Sequence, residues 1–185
     1  MVKFVSSQKY WRDTMYYEKG FKRMSSFYVN EVHLITMLLP YIEKIVNENC
    51  EIYTVLQDSL EKTVRLLLSK LNLKQNLKEK INSIDWKSKT MNDYKNLEKQ
   101  LNDHSKKYII INGNEKYVRE INKMLIKYKK NHKENEFILI NCYDIVEFNK
   151  NIVNILDNTD KILNTSGEHE IEKIFPEYVK EKKKA

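Results

Sequence analysis

Glycine, proline and cysteine are all scarce in this sequence. Its 185 residues include 3 glycines and 2 prolines, far fewer than collagen-like, loop-dominated or many-turned all-β chains contain. The 2 cysteines, Cys50 and Cys142, do not form a CxxC pair. This cysteine usage is typical of a protein with reduced thiols.

Long apolar runs are also missing. The most apolar window, Val32 to Val46, is short and contains His33, Glu43 and Lys44, whereas a membrane-spanning helix needs about 18 or more uninterrupted apolar residues. The stretch from Met1 to Gln8 holds no continuous apolar segment, so it does not predict a secretory signal. We therefore expect a cytoplasmic protein that does not insert into a membrane.

Charge and apolar residues are both abundant. Lys and Arg number 33 against 26 Asp and Glu, a net charge of +7, and 41% of the residues are hydrophobic. That is enough apolar material for one folded domain with a buried core. The basic residues are interspersed with acids, and only 4 are arginines, the residue that grips phosphates and bases in a bidentate manner. Solvated helix faces explain this pattern best, and nucleic-acid binding through a lysine-rich surface is the alternative.

Short apolar runs alternate with amphipathic stretches along most of the chain. The runs predict strands at Lys22 to Val29, Glu51 to Leu56, Ile81 to Trp86, Tyr108 to Ile111, Phe137 to Tyr143 and Lys161 to Leu163. Apolar residues at helical spacing lie between them. Strands that are apolar throughout and followed by amphipathic helices predict an α/β fold, with a mostly parallel central sheet flanked by helices on both faces. An all-helical bundle is the alternative.

The predicted helices carry recognisable start and break signals. Asn30 is expected to cap the first helix, and Pro40 to kink or split it, because proline lacks a backbone donor. Asp58 is expected to cap the next helix, with Glu61 three residues later as its capping-box partner. Thr90 is expected to open a further helix.

The ends of the chain differ from its centre. Residues 1–21 are rich in aromatics and predict an N-terminal helical lead-in, and residues 179–185 predict a basic, flexible tail. The single α/β domain is therefore expected to span residues 22–178.

Signatures of phosphate binding and catalysis are absent from the sequence. Neither GxxxxGK[ST] nor GxGxxG occurs, because the glycines are the isolated Gly20, Gly113 and Gly167. The turn after the first predicted strand carries Glu31, whose charge repels phosphate. The histidines show no HxxxH or HxH spacing, so no metal site or cofactor is predicted. The protein is expected not to be an enzyme, with a hydrolase or transferase that uses Cys142 as the alternative.

Polar and aromatic side chains stand where the predicted strands end. The carboxyl edge of a parallel sheet is where such folds bind ligands. The candidate ligand-binding residues at these positions are Tyr28, Asn30, Glu31, Asp85, Trp86, Asn112, Cys142, Tyr143 and Asp144. They predict a site for a small organic ligand or a partner protein.

Several short segments between Arg23 and Tyr178 also carry a family resemblance. They are Ser25 to Glu31, Leu38 to Ile42, Cys50 to Val55, Asp85-Trp86, Asn141 to Asp144 with Phe148 after it, and Phe175 to Tyr178. Their order and spacing resemble those of MEDS domains, the methanogen/methylotroph sensory domains of prokaryotic signalling proteins. The sequence departs from that pattern at Ser25-Ser26 and Asn158-Thr159, where the family often has histidine-containing pairs. A ligand that needs those histidines would not bind here.

The MEDS resemblance implies a RecA/KaiC-like α/β fold that lacks a working phosphate-binding loop. It also implies a non-enzymatic sensory or regulatory role in bacterial or archaeal signal transduction, with small organic molecules as ligands. Such domains usually stand beside a kinase or DNA-binding domain, for which 185 residues leave no room. We therefore expect a stand-alone member that acts through a separate signalling partner, and a homodimer is left open.

Overall fold

The computed structural model describes residues 20–90 and 106–184, together with Asp93, Leu97, Lys99 and Leu101. The strands are β1 Phe21–Tyr28, β2 Glu51–Leu56, β3 Lys106–Asn112, β4 Glu136–Asp144, β5 Lys161–Asn164 and β6 Gly167–His169. The helices are α1 Glu31–Asn47, α2 Glu61–Lys70, α3 Gln75–Ser83, α4 Glu115–Asn131, α5 Ile145–Asp157, α6 Ile171–Ile174 and α7 Pro176–Lys184.

The strands form one 6-stranded sheet in the order β2-β3-β4-β1-β5-β6. β1 to β5 pair in parallel, and β6 pairs with β5 in the antiparallel sense. The predicted α/β fold is thus confirmed, and the all-helical alternative is wrong. Within the described residues, the helices are too short or too polar to cross a membrane.

Helices cover both faces of the sheet, so the side chains that alternate between the two faces along each strand are buried on either side. Met24, Ile110 and Ile140 pack with α1, α2 and α3 on one face. Phe137 and Leu139 pack with α4 and α5 on the other. This double covering explains why the central strands have almost uninterrupted apolar sequences.

The strand predicted at Ile81 to Trp86 is wrong. The chain is helical through Ser83, and Leu77 and Ile81 form the buried side of α3. Apolar residues four positions apart lie on one face of a helix, and this pairing outweighs the short apolar run. The indole Nε1 of Trp86 donates to the Ile81 carbonyl at 2.9 Å and so binds one of the last carbonyls of α3.

The predicted cap of the second helix is also wrong. α2 begins at Glu61, its N-cap position is Leu60, and no side chain there caps the helix. Leu60 is buried, and its amide donates to the Trp86 carbonyl at 2.9 Å. This anchor starts the helix beyond Asp58, which lies exposed in the preceding loop.

In the first helix one signal is confirmed and one is not. Asn30 caps α1, because its side-chain oxygen accepts from the His33 amide at 2.9 Å. Pro40 does not split α1, which is continuous from Glu31 to Asn47. Pro40 and Thr36, four residues before it, are both exposed, so the missing hydrogen bond falls on the solvent-exposed side of the helix.

The remaining differences lie near the chain ends and in the central connection. The strand predicted at Lys161 to Leu163 is confirmed as β5, but the antiparallel strand β6 after it was not predicted, because it is short and partly polar. The predicted boundary at residue 179 falls inside α7. The lead-in at 1–21 lies outside the described residues except for its last two positions. Of the helix predicted after Thr90, Leu97 and Lys99 are helical, and most of the rest lies outside the described residues.

Candidate functional site

β4 and β1 are the two middle strands of the sheet, and their carboxyl ends lie side by side. The two strands are neighbours, with Tyr28 paired to Asp144 at their ends. From β1 the chain leads through α1 toward β2, whereas from β4 it leads through α5 in the opposite direction to β5. The two connecting helices lie on opposite faces of the sheet. Neighbouring strands whose connections leave on opposite faces open a crevice at the carboxyl edge, and α/β folds bind ligands there. We call this place the switch point.

A buried amide joins three strands at the switch point. The Nδ2 of Asn112, at the end of β3, donates to the Tyr28 hydroxyl at 2.7 Å and to the Cys142 carbonyl at 3.4 Å. The backbone carbonyl of Asn112 accepts a hydrogen bond of 2.8 Å from the backbone amide of Gln57, which lies just after β2. We refer to Tyr28, Asn112 and Cys142 as the Asn112 cluster. The contacts fix the relative positions of four strand ends.

Tyr28 is the titratable group of this cluster that is not fully buried. Burial raises the pKa of Tyr28 to about 12, an effect that the Asn112 hydrogen bond opposes and that the nearby Cys142, Asp144 and Asp58 reinforce. The phenol is therefore neutral at physiological pH. Its oxygen already accepts from Asn112, and its proton has no acceptor among the described residues, so it can donate a hydrogen bond to a ligand.

Acidic side chains surround the Asn112 cluster. Asp144 caps α5 by accepting from the Glu147 amide at 2.8 Å. Glu31 accepts from the Thr63 hydroxyl, and Asp58 lies exposed after β2. Within the described part of the chain, neither Glu31, Asp58 nor Asp144 takes part in an ion pair. The switch point therefore favours neutral or positively charged ligands over anions.

The β1–α1 turn is too short to enclose a phosphate. Only Val29 and Asn30 separate β1 from α1. The Asn30 side chain already occupies the His33 amide, and the Leu34 amide donates to the Asn30 carbonyl at 3.0 Å. Glu31 places a negative charge in the first turn, at the helix end that would otherwise attract an anion.

Cys142 is placed for packing and not for nucleophilic attack. The residue is fully buried in the sheet, and its Sγ lies 3.7 Å from the Ile140 carbonyl. Burial raises the pKa of the Cys142 thiol far above its ordinary value. Because the thiolate is the nucleophile, this position does not support the hydrolase or transferase alternative.

Asp85 and Trp86 lie apart from the Asn112 cluster. They belong to a segment that runs beside the end of β2, where the Thr54 hydroxyl donates to the Asp85 carbonyl and Leu56 bridges to Ser88. The Asp85 carboxylate pairs with Lys89 at 3.3 Å. Both residues line a separate polar cleft of about 280 Å³ between α2 and the end of α3.

Tyr143 points to the opposite face of the sheet from Cys142. It is buried under α5, with its ring 6.3 Å from that of Phe27, and burial raises the pKa of its phenol. It therefore contributes to the core beside the switch point. Three of the nine candidate residues thus form the Asn112 cluster, and three lie at helix starts (Asn30, Glu31 and Asp144). The other three lie elsewhere, Asp85 and Trp86 at the separate cleft and Tyr143 in the core.

Sequence reasoning missed Gln57 at this edge. The backbone amide of Gln57 donates to the backbone carbonyl of Asn112, and its side-chain Oε1 accepts from the backbone amide of Asn114 at 2.9 Å. A Cβ on Gly113 would lie 2.6 Å from Tyr117 Cδ1 and 2.7 Å from that same Oε1. In a chain with 3 glycines, a glycine directly after a strand was the available signal of such a close approach.

Comparisons with protein-family models, curated proteins and solved structures return no match. The resemblance to MEDS domains therefore stays a prediction.

Proposed function

We propose that the protein is a non-enzymatic sensory or regulatory domain of bacterial or archaeal signal transduction, of the MEDS type, that works in the cytoplasm. It binds a small organic ligand at the switch point. The observation that carries this proposal is the Asn112 cluster, in which a buried amide holds the Tyr28 hydroxyl at the carboxyl edge with its proton available. A RecA/KaiC-like core is part of the proposal, and the mostly parallel sheet is compatible with it.

The surroundings of the cluster define the chemistry of the ligand. The Tyr28 hydroxyl can donate a hydrogen bond to an oxygen or nitrogen acceptor on the ligand. Glu31, Asp58 and Asp144 oppose a phosphate or carboxylate at the same place. The ligand class is therefore a neutral or cationic small organic molecule with one hydrogen-bond acceptor. The 2 free cysteines agree with the proposed cytoplasmic location, since cytosolic thiols are kept reduced.

The proposal is tested by a thermal-shift screen of neutral and cationic organic compounds, with ATP–Mg²⁺ included. A binding compound raises the Tm. Tyr28→Phe removes only the hydroxyl, and loss of a hydrogen bond worth about 0.5–1.5 kcal/mol weakens binding roughly threefold to tenfold. Tyr53→Phe is the matched control, because the Tyr53 hydroxyl donates to Glu51 on β2, away from the cluster.

Two outcomes contradict the proposal. One is a diverse panel in which no organic compound stabilises the protein. The other is stabilisation by ATP–Mg²⁺ that disappears in Asp144→Asn, which would show nucleotide binding at this edge. Asparagine also caps helices, so that variant removes the charge and keeps the start of α5.

A further inference from the structure

Aliphatic side chains are exposed together at the switch point. Val29 is 64% exposed, Val32 48%, Ile145 38% and Val146 57%. Single exposed aliphatics are normal on protein surfaces, but a contiguous group marks an interaction site. Among the described residues, the other large hydrophobic side chains with comparable exposure are Leu66 and Val153, which lie within helices away from this edge.

The strand register brings the four aliphatics close to one another. Val29 and Ile145 follow Tyr28 and Asp144, which are paired across β1 and β4. Neighbouring strands lie about 4.8 Å apart. Val32 and Val146 stand in the first turns of α1 and α5, whose starts flank the crevice from opposite faces of the sheet. The apolar group therefore spans the switch point.

The rim of this apolar group is negatively charged. Glu31 and Asp144 flank it, and Asp58 lies close enough to raise the pKa of Tyr28. Some other carboxylates meet cations, as Glu115 meets Arg119 at 3.0 Å, whereas Glu31, Asp58 and Asp144 have no ion pair among the described residues. The chain as a whole carries +7, so this acidic rim differs in sign from the net charge and favours a partner of opposite charge.

We propose that the switch-point surface docks a basic amphipathic helix of a signalling partner protein. This surface consists of Val29, Val32, Ile145, Val146, Glu31, Asp58 and Asp144. An amphipathic helix fits because its apolar stripe can lie along the crevice while its lysines and arginines meet the acidic rim. The inference rests on the proposed regulatory role, in which the same edge senses a ligand and contacts the partner.

The probe is a fluorescein-labelled synthetic helix with leucines at i, i+3, i+4 and i+7 and lysines elsewhere. Its control has glutamates in place of the lysines. The lysine peptide is expected to bind the wild-type chain with an affinity that falls as salt rises, and the glutamate peptide is expected not to bind. Glu31→Gln with Asp58→Asn should weaken binding severalfold and flatten the salt dependence.

The apolar contribution is tested with Val29→Ser combined with Val146→Ser. We expect this double variant to bind the lysine peptide at least tenfold more weakly. Val153→Ser is the matched control, because Val153 is an exposed valine of the same helix, α5, 56% accessible and away from the edge. Circular dichroism and thermal melts establish that each variant is folded.

Three results would overturn the inference. The first is no binding of the lysine peptide, and the second is equal weakening by Val153→Ser and by the double variant. The third is a wild-type dimer in sedimentation that the double variant converts to monomer, which would make a second copy of this chain the occupant. Tyr28→Phe separates the two proposals, because it should lower the affinity for the small organic ligand and leave the affinity for the peptide unchanged.

Discussion

Buried cations lie at the amino edge of the sheet, whereas exposed acids without an ion pair among the described residues lie at the carboxyl edge. At the amino edge, cations are buried against carboxylates: Lys107 is fully buried and lies 3.1 Å from Glu51, and the buried Arg23 lies 3.2 Å from Asp160. At the carboxyl edge, Asp58 and Asp144 have no ion-pair partner among the described residues.

This difference separates structural from functional use of the same residue types. A buried ammonium must be compensated, because an uncompensated buried charge costs several kcal/mol. An exposed carboxylate needs no partner, and leaving it unpaired keeps it available to bind one. The amino edge therefore holds the fold together, and the carboxyl edge is free to interact. Substitutions at the two edges should have different consequences.

The largest effect is expected at Lys107. Lys107→Ala removes both the charge and a buried aliphatic stem, and we expect the free energy of unfolding to fall by about 2–4 kcal/mol. Lys107→Met keeps most of the stem and should cost about 1 kcal/mol or less. Urea unfolding measures both. If the alanine and methionine variants lower the free energy of unfolding equally, the aliphatic stem of Lys107 does not stabilise the fold in the way that its burial indicates.

A smaller loss is expected at Asn112, inside the carboxyl edge itself. Asn112→Ala deprives the Tyr28 hydroxyl and the Cys142 carbonyl of their donor, which should lower the free energy of unfolding by about 1–3 kcal/mol. Asn122→Ala on α4 is the control, because the Oδ1 of Asn122 is buried without a hydrogen-bond partner among the described residues. Chemical denaturation should show the larger loss for Asn112→Ala, and the reverse order would contradict the role given to the Asn112 cluster.

The central strands could be predicted from the sequence because their apolar runs are continuous. Tyr108 to Ile111 and Phe137 to Tyr143 lie within β3 and β4. Ile81 to Trp86 was misjudged, because a short apolar run does not distinguish a strand from the buried side of a helix. The apolar run at Lys161 to Leu163 predicts β5, but the sequence of β6 has no pattern that periodicity could detect.

The residues of the candidate site could be predicted from the sequence only where the ends of the strands could be predicted. Tyr28, Asn112 and Cys142 come together because each lies at or near the carboxyl end of a strand in a parallel sheet. Asp85 and Trp86 lie elsewhere, because no strand precedes them. The strand order brings Gln57 beside Asn112, and that neighbourhood depends on long-range pairing, which no local pattern encodes.

The smallest effect, and the one that contrasts the two edges most directly, comes from the same acid-to-amide change at each. Asp58→Asn at the carboxyl edge removes a charge that has no ion pair among the described residues and that lies with Asp144 near Tyr28, so stability should rise slightly, by about 0.5 kcal/mol or less. Glu51→Gln at the amino edge weakens the compensation of the buried Lys107 ammonium, so stability should fall. Paired urea titrations at low and at high salt measure both. Equal signs would mean that the two edges do not differ in the way their ion pairs indicate, whereas opposite signs would show that Asp58 is present at a small cost to the fold.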